Sequence, residues 1–248
     1  KYDSLVIGPV SLDHNIDYLG NERKEVGGAV VASGFAAARS GNTTALFTKL
    51  NSKDASLEER FAPSGADLYW AESKATCSIR NQYFTADKEK RACTSMGVCD
   101  AFHFEEFSHI DAQIYHFAGL VYGDFDSQLF IDASKHGKVA VDVQCMLRHV
   151  EPDKTMAFHD WAEKMEYLPC IDYLKTDAAE AEILTGLTDR AEAAKLLPAA
   201  AAGSLGKASR MGDTDEGAVM TDWFSTNKGL ARNDRCMAAG NDLIMPGG

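Results

Sequence analysis

Apolar residues arrive in short blocks separated by glycine-rich turns. DSLVIGPV (3–10) is an apolar run entering a Gly-Pro turn and reads as a buried strand. GGAVVASGFAAARSG (27–41) opens on two glycines, carries small residues at helical spacing and stops at Gly41. That pattern predicts a helix lying close against a flat surface. TALFTKL (44–50) is the next strand, and strand–helix–strand in this order predicts a parallel α/β sheet. IDAQIYHFAGLV (110–121), KVAVDVQ (138–144) and CIDYL (170–174) supply further strands. FDSQLFIDASKHG predicts a helix ending at Gly137, and the block Ala178–Leu197 reads as helical. The expected fold is one α/β domain over 1–248 with a doubly wound sheet.

Residues 76–96 break the pattern. TCSIRNQYFT and KRACTSM flank the polar stretch Ala86–Glu89 and carry polar residues on both faces. They predict a two-stranded arm that projects from the main sheet as a flap over a site. The last fifty residues are different again, with four consecutive alanines and weak periodicity.

No run of about 18 apolar residues exists, which excludes a membrane-spanning helix. The net charge of −12 argues against a nucleic-acid surface, since phosphate contacts need clustered Lys and Arg. An anionic ligand must therefore be held by local cations and backbone N–H groups. The six cysteines include no C-x-x-C, and there is no H-E-x-x-H, so the spacing carries no zinc signature. Reduced cysteines in a cytoplasmic protein fit better. The sequence starts at Lys1 without Met, so residues are expected to be missing ahead of it.

Four places carry candidate chemistry. Asp13, in SLDHNID after the first strand, lies where an open α/β sheet faces its ligand; the plainer reading is an Asx-type turn. Gly27-Gly28 at a helix entrance allows close backbone approach, but it is not G-x-G-x-x-G. Asp177 and Glu180 start a helix three apart, so they either hold Mg²⁺ waters or form a capping box. Gly212-Asp213-Thr214, followed by Gly217, offers N–H groups for an anion and a carboxylate that takes a proton; the alternative is an Asp cap.

In this order the four resemble the PfkB, or ribokinase-like, carbohydrate kinases. The resemblance runs from Tyr2 through Leu197 and is strongest in VGGAVVASGFAAARSG, SIRNQYFTADKEKR, IYHFAGLVYGDFD and YLKTDAAEAEILTG. It implies a mostly parallel central sheet flanked by helices, a small β lid, and transfer of the γ-phosphoryl group of ATP to a hydroxyl of a sugar or nucleoside with Mg²⁺. By position, Asp13, Gly27 and Gly28 would contact the substrate, and Arg80 and Asn81 would lie on the lid. Asp177 takes the place of the Asn in the family's N-x-x-E motif, and Glu180 would hold the metal through water. Asp213 would be the base, Gly212 part of the anion hole, and Thr214 and Gly217 would sit by the donor. Asp142 and Gln144 fall near the phosphates. A homodimer through the lid is expected.

Two departures matter. Arg210 replaces the first Gly of the family's G-x-G-D, and Ala32 stands where many members have Asn. Arg210 favours the rival expectation, a non-catalytic sugar- or nucleotide-binding regulator on the same fold. The stretch from 197 to 210 is also too short for the family's donor-side strands, so a missing segment is expected there.

Overall fold

In the computed structural model the described residues are 1–86, 90–189, 192–193 and 196–197, with the backbone of 238–239 and 242–243. In chain order the strands are β1 (Tyr2–Ile7), β2 (Ser11–Ile16), β3 (Glu22–Gly27), β4 (Thr44–Leu50), β5 (Asp67–Glu72), β6 (Cys77–Tyr83), β7 (Arg91–Gly97), β8 (Ala112–Phe117), β9 (Lys138–Asp142), β10 (Arg148–Val150), β11 (Met156–Phe158) and β12 (Tyr173–Lys175). The helices are α1 (Ala29–Arg39), α2 (Phe104–Phe107), α3 (Gln128–Ser134), α4 (Gln144–Leu147), α5 (Lys164–Tyr167) and α6 (Ala178–Thr185).

The main sheet has six strands in the order β12-β9-β8-β1-β4-β5, all parallel. Every residue of β4 is buried, as a strand covered on both faces requires. Val6, Leu46 and Leu50 pack with Val30 of α1 on one face, while Leu5, Ile7, Phe47 and Phe117 pack with Leu129 and Phe130 of α3 on the other. The small residues of α1 let it lie close: a Cβ on Gly34 would come within 2.4 Å of Leu46 Cδ2. Edge-to-face rings tie the second face together, with Phe117 5.2 Å from both Phe125 and Phe130.

A second sheet, β3-β2-β6-β7, stands apart from the first. The hairpin expected at 76–96 is present as the antiparallel pair β6–β7. It is not a two-stranded arm, however. Ser11–Ile16, which the sequence read as a loop behind the first strand, is itself a strand, paired antiparallel with β3 and parallel with β6. The lid therefore has four strands.

Two further boundaries move. Leu168–Cys170 is a 3₁₀ turn, so the strand expected at 170–174 lies at Tyr173–Lys175. The helical block expected at 178–197 is interrupted: α6 ends at Thr185, where Gly186 takes the left-handed conformation (φ 75°), and the described residues 192–193 and 196–197 are helical again. No helix among the described residues is long and apolar enough to cross a membrane.

Candidate active site

Strand alternation decides what the lid presents. The β2–β6 register puts Ser11, Asp13 and Asn15 on the same face as Cys77, Ile79 and Asn81. A chain of hydrogen bonds crosses that face. Cys93 donates to Asn81 Oδ1 (3.2 Å), Asn81 Nδ2 donates to Asn15 Oδ1 (2.9 Å), and Asn15 Nδ2 donates to Glu25 Oε2 (2.7 Å). Asp13 accepts from the Ser11 hydroxyl. Burial raises the Asp13 carboxyl above its ordinary 3.8, opposed by Ser11 and by the charges of Arg148 and Arg91.

Both glycines at the entrance to α1 are required by shape. Gly27 faces Ser11 in the register, and a Cβ there would lie 2.4 Å from Asp13 Oδ2. Gly28 has φ 103°, and its Cβ would lie 2.6 Å from the Pro9 carbonyl oxygen. So Asp13, Gly27, Gly28 and Asn81 come together. Arg80 does not join them: it is exposed on the opposite face of β6, one residue out of phase with Asn81.

The second cluster sits at the carboxyl ends of β9 and β12, the edge where open α/β sheets carry their ligands. Lys175 Nζ lies 3.4 Å from Asp142 Oδ1, an oxygen that also accepts from Gln144 N at 3.4 Å. Asp177 caps α6 and accepts from Glu180 N (2.7 Å), while Glu180 Oε2 accepts from Asp177 N (2.8 Å). The capping-box reading of this pair is therefore realised. Yet Glu180 is only 2% exposed, unusual for a carboxylate serving as a cap alone. Burial pushes it up to about 8, with repulsion from Asp142 and Asp177 adding to the shift and Lys175 opposing it.

Arg148 joins the two clusters and was not singled out from the sequence. It is buried, its Nε donates to the Leu120 carbonyl (2.8 Å), and its charge acts on Asp13 and feels Asp142 and Arg91. Nothing in the local sequence signals this role, because Asp13, Arg91 and Leu120 all lie far from Arg148 along the chain. Gly212, Asp213, Thr214, Gly217, Arg210 and the expected gap at 197–210 lie outside the described residues.

No curated protein matches the chain. Among solved structures, one described as a pyrophosphate-dependent kinase in the ribokinase family, complexed with a pyrophosphate analog and myo-inositol, is 28% identical. It superposes with a TM-score of 0.74, covering 80% of this chain and 70% of that one. An adenosine kinase from Sinorhizobium meliloti (15% identity, TM-score 0.60, 80% and 72% covered) and a ribokinase from Thermotoga maritima (14%, 0.58, 81% and 69%) share the fold. The family model for pfkB carbohydrate kinases matches residues 1–207. With its parallel sheet, separate small lid and strand-end carboxylates, the chain belongs to the PfkB family of carbohydrate kinases, phosphotransferases that act on hydroxyl groups.

Proposed function

We propose that the acceptor is a small cyclic polyol of the inositol or sugar class. The observation that carries this is the inner face of the lid, where Asp13, Asn15, Glu25 and Asn81 present hydrogen-bonding groups side by side. A polyol offers both a donor and an acceptor at each hydroxyl and matches such a face, whereas a nucleoside base asks for an apolar or aromatic slot.

In this reading Asp13 accepts a hydrogen bond from one acceptor hydroxyl, and Asn81 and Asn15 orient others. The backbone of Gly27 and Gly28 closes the floor. The charge of Arg148 favours the ionised form of Asp13 against its burial and supplies positive charge between the acceptor and the strand-end carboxylates. Asp142 and Glu180 fit a hydrated Mg²⁺ ion: their charges repel each other at the strand ends, and a buried carboxyl pushed up to about 8 ionises more readily beside a cation. Mg²⁺, when bound, neutralises charge on the phosphoryl donor. Asp213 takes the hydroxyl proton, the Gly212 N–H holds the transferring phosphate, and Thr214 and Gly217 lie against the donor. Lid closure over the acceptor excludes water and suppresses hydrolysis of the donor. Two copies pairing through their lids belong to the same proposal.

ATP is the donor that the family resemblance implies. Pyrophosphate is the second reading, favoured by the 28% identity to a pyrophosphate-dependent kinase. A matrix of donors (ATP, pyrophosphate) against acceptors (myo-inositol, ribose, fructose, adenosine) tests both. Phosphate transfer to a polyol or sugar but not to adenosine supports the acceptor reading, and adenosine phosphorylation overturns it. The donor that supports turnover decides between the two donors. Binding without turnover for every pair would return the regulator reading.

A further inference from the structure

Three buried groups meet at the root of the lid, none of them a residue assigned above to the acceptor or donor, although the charge of Arg148 acts on one of them, Asp124. Cys77 opens β6, Cys99 lies just beyond β7, and Asp124 lies in the loop that follows β8. They are 3%, 4% and 1% exposed. The two sulfurs and one carboxylate oxygen of Asp124 all lie within 4.8 Å of one another. Local spacing carries no hint of this, since Cys77 and Cys99 are separated by the whole β6–β7 hairpin.

The carboxylate is held firmly and used incompletely. Asp124 Oδ2 accepts from Leu120 N (2.6 Å) and Val121 N (2.9 Å), while Asp124 Oδ1 is buried with no hydrogen-bond partner. A buried carboxylate oxygen without a partner is costly, and natural structures reserve such a position for an ion, a proton or a role. The cysteines are equally fixed: Cys99 N donates to Cys77 Sγ at 3.2 Å. The Phe102 N–H donates to the Asp124 carbonyl (2.9 Å), which ties the segment after Cys99 to the Asp124 loop.

We propose that Cys77, Cys99 and Asp124 form a binding site for a thiophilic divalent cation of the zinc class. Two thiolates and a carboxylate are a zinc donor set, and the fourth position falls to water. Tetrahedral zinc sets its ligand atoms roughly 3.3–3.8 Å apart, so side-chain rotations of about 1 Å close the site. Three anionic ligands around a divalent ion leave one net negative charge. The ammonium of Lys49, held by Glu106 Oε1 and the Ala101 carbonyl (2.7 Å each), acts on Cys99, and the charge of Arg148 acts on Asp124, so both ends of the cluster feel positive charge. The ion would clamp the lid hairpin to the loop beyond the carboxyl end of β8 and so tie the small sheet to the main one.

Cobalt(II) added to the reduced, chelator-stripped full-length protein is the probe, because thiolate ligation gives a near-ultraviolet charge-transfer band. The expected result is one equivalent bound, displaced by Zn²⁺, with the band lost in Cys77→Ser and Cys99→Ser and kept in Cys170→Ser. Asp124→Asn should weaken binding at least 10-fold. Should the serine variants not fold, alkylation of the wild-type protein in enough urea to open its buried thiols decides: bound Zn²⁺ should slow modification of Cys77 and Cys99 and leave the rate at Cys170 unchanged. The absence of a band in wild type, a band that persists in both serine variants, or equal alkylation with and without Zn²⁺ overturns the site. So does recovery of Cys77 and Cys99 as a disulfide that binds no metal.

Discussion

Replacing Glu180 by Gln separates the demands of folding from those of chemistry at the second cluster. Gln keeps the capping geometry, because its amide oxygen still accepts from Asp177 N, and removes the ionisable group. Burial raises the Glu180 carboxyl from 4.5 to about 8. Below pH 4.5 it is protonated in both the folded and the unfolded chain, so it adds no pH dependence. Between 4.5 and about 8 the folded chain binds the extra proton, so the unfolding free energy falls as pH rises; above about 8 the loss is complete. At ~1.4 kcal/mol per pH unit the full loss is about 5 kcal/mol, of which about 3 kcal/mol is reached by pH 7. Glu180→Gln, studied by urea denaturation without divalent cations, should therefore be more stable than wild type by about 2–4 kcal/mol at pH 8 and within about 1 kcal/mol at pH 5. Mg²⁺ should stabilise wild type at pH 8 by binding only the folded state and should leave Glu180→Gln nearly unchanged. Turnover should fall in the variant and return in part at high Mg²⁺. Parallel pH profiles for the two proteins, or a variant less stable than wild type at pH 8, would refute the reasoning.

Asp213→Asn should preserve the fold and leave both substrate affinities within a few-fold, while kcat drops by about 10²–10⁴, as for loss of a positioned base; near-normal kcat removes Asp213 from that role. Asn81→Ala should raise KM for the acceptor by about 10-fold through loss of its central hydrogen bonds, whereas Arg80→Ala on the opposite face should leave KM within about 2-fold, and equal effects would contradict the face assignment. Gly34→Ala should cost about 1–3 kcal/mol in urea unfolding by driving a methyl group into Leu46, with kcat/KM of the remaining folded enzyme unchanged.

The main sheet was legible because its strands bury apolar residues against apolar residues. TALFTKL is buried at every position, and the small-residue face of α1 announced close packing on β4. The lid strands β2 and β3 were not legible for the opposite reason. SLDHNI turns Asp13 and Asn15 toward the face that carries Asn81, and the first four residues of ERKEVG are exposed, so neither shows the alternation that marks a strand on an apolar core. The hairpin β6–β7 was visible as an anomaly, and its two missing companions were hidden by the same chemistry that makes the face useful. Asp177 and Glu180 could be located from their spacing, but only the structure shows that the capping Glu180 is also buried, with its carboxyl pushed up to about 8. The Arg148–Leu120 hydrogen bond and the Cys77–Cys99–Asp124 cluster join residues 22 or more apart, and local spacing carries no trace of them.

The central claim is that the inner face of the lid and the carboxyl ends of the main-sheet strands act on one polyol. The most direct measurement is ³¹P NMR of the full chain incubated with Mg²⁺, myo-inositol and ATP or pyrophosphate, run beside Asp13→Asn. The account predicts a new phosphomonoester signal that requires both donor and polyol, with kcat/KM lower by about 10–100-fold in a folded Asp13→Asn variant, the loss expected for one hydrogen bond to a charged group. An Asp13→Asn variant as active as wild type, or no polyol phosphomonoester with either donor, would contradict it.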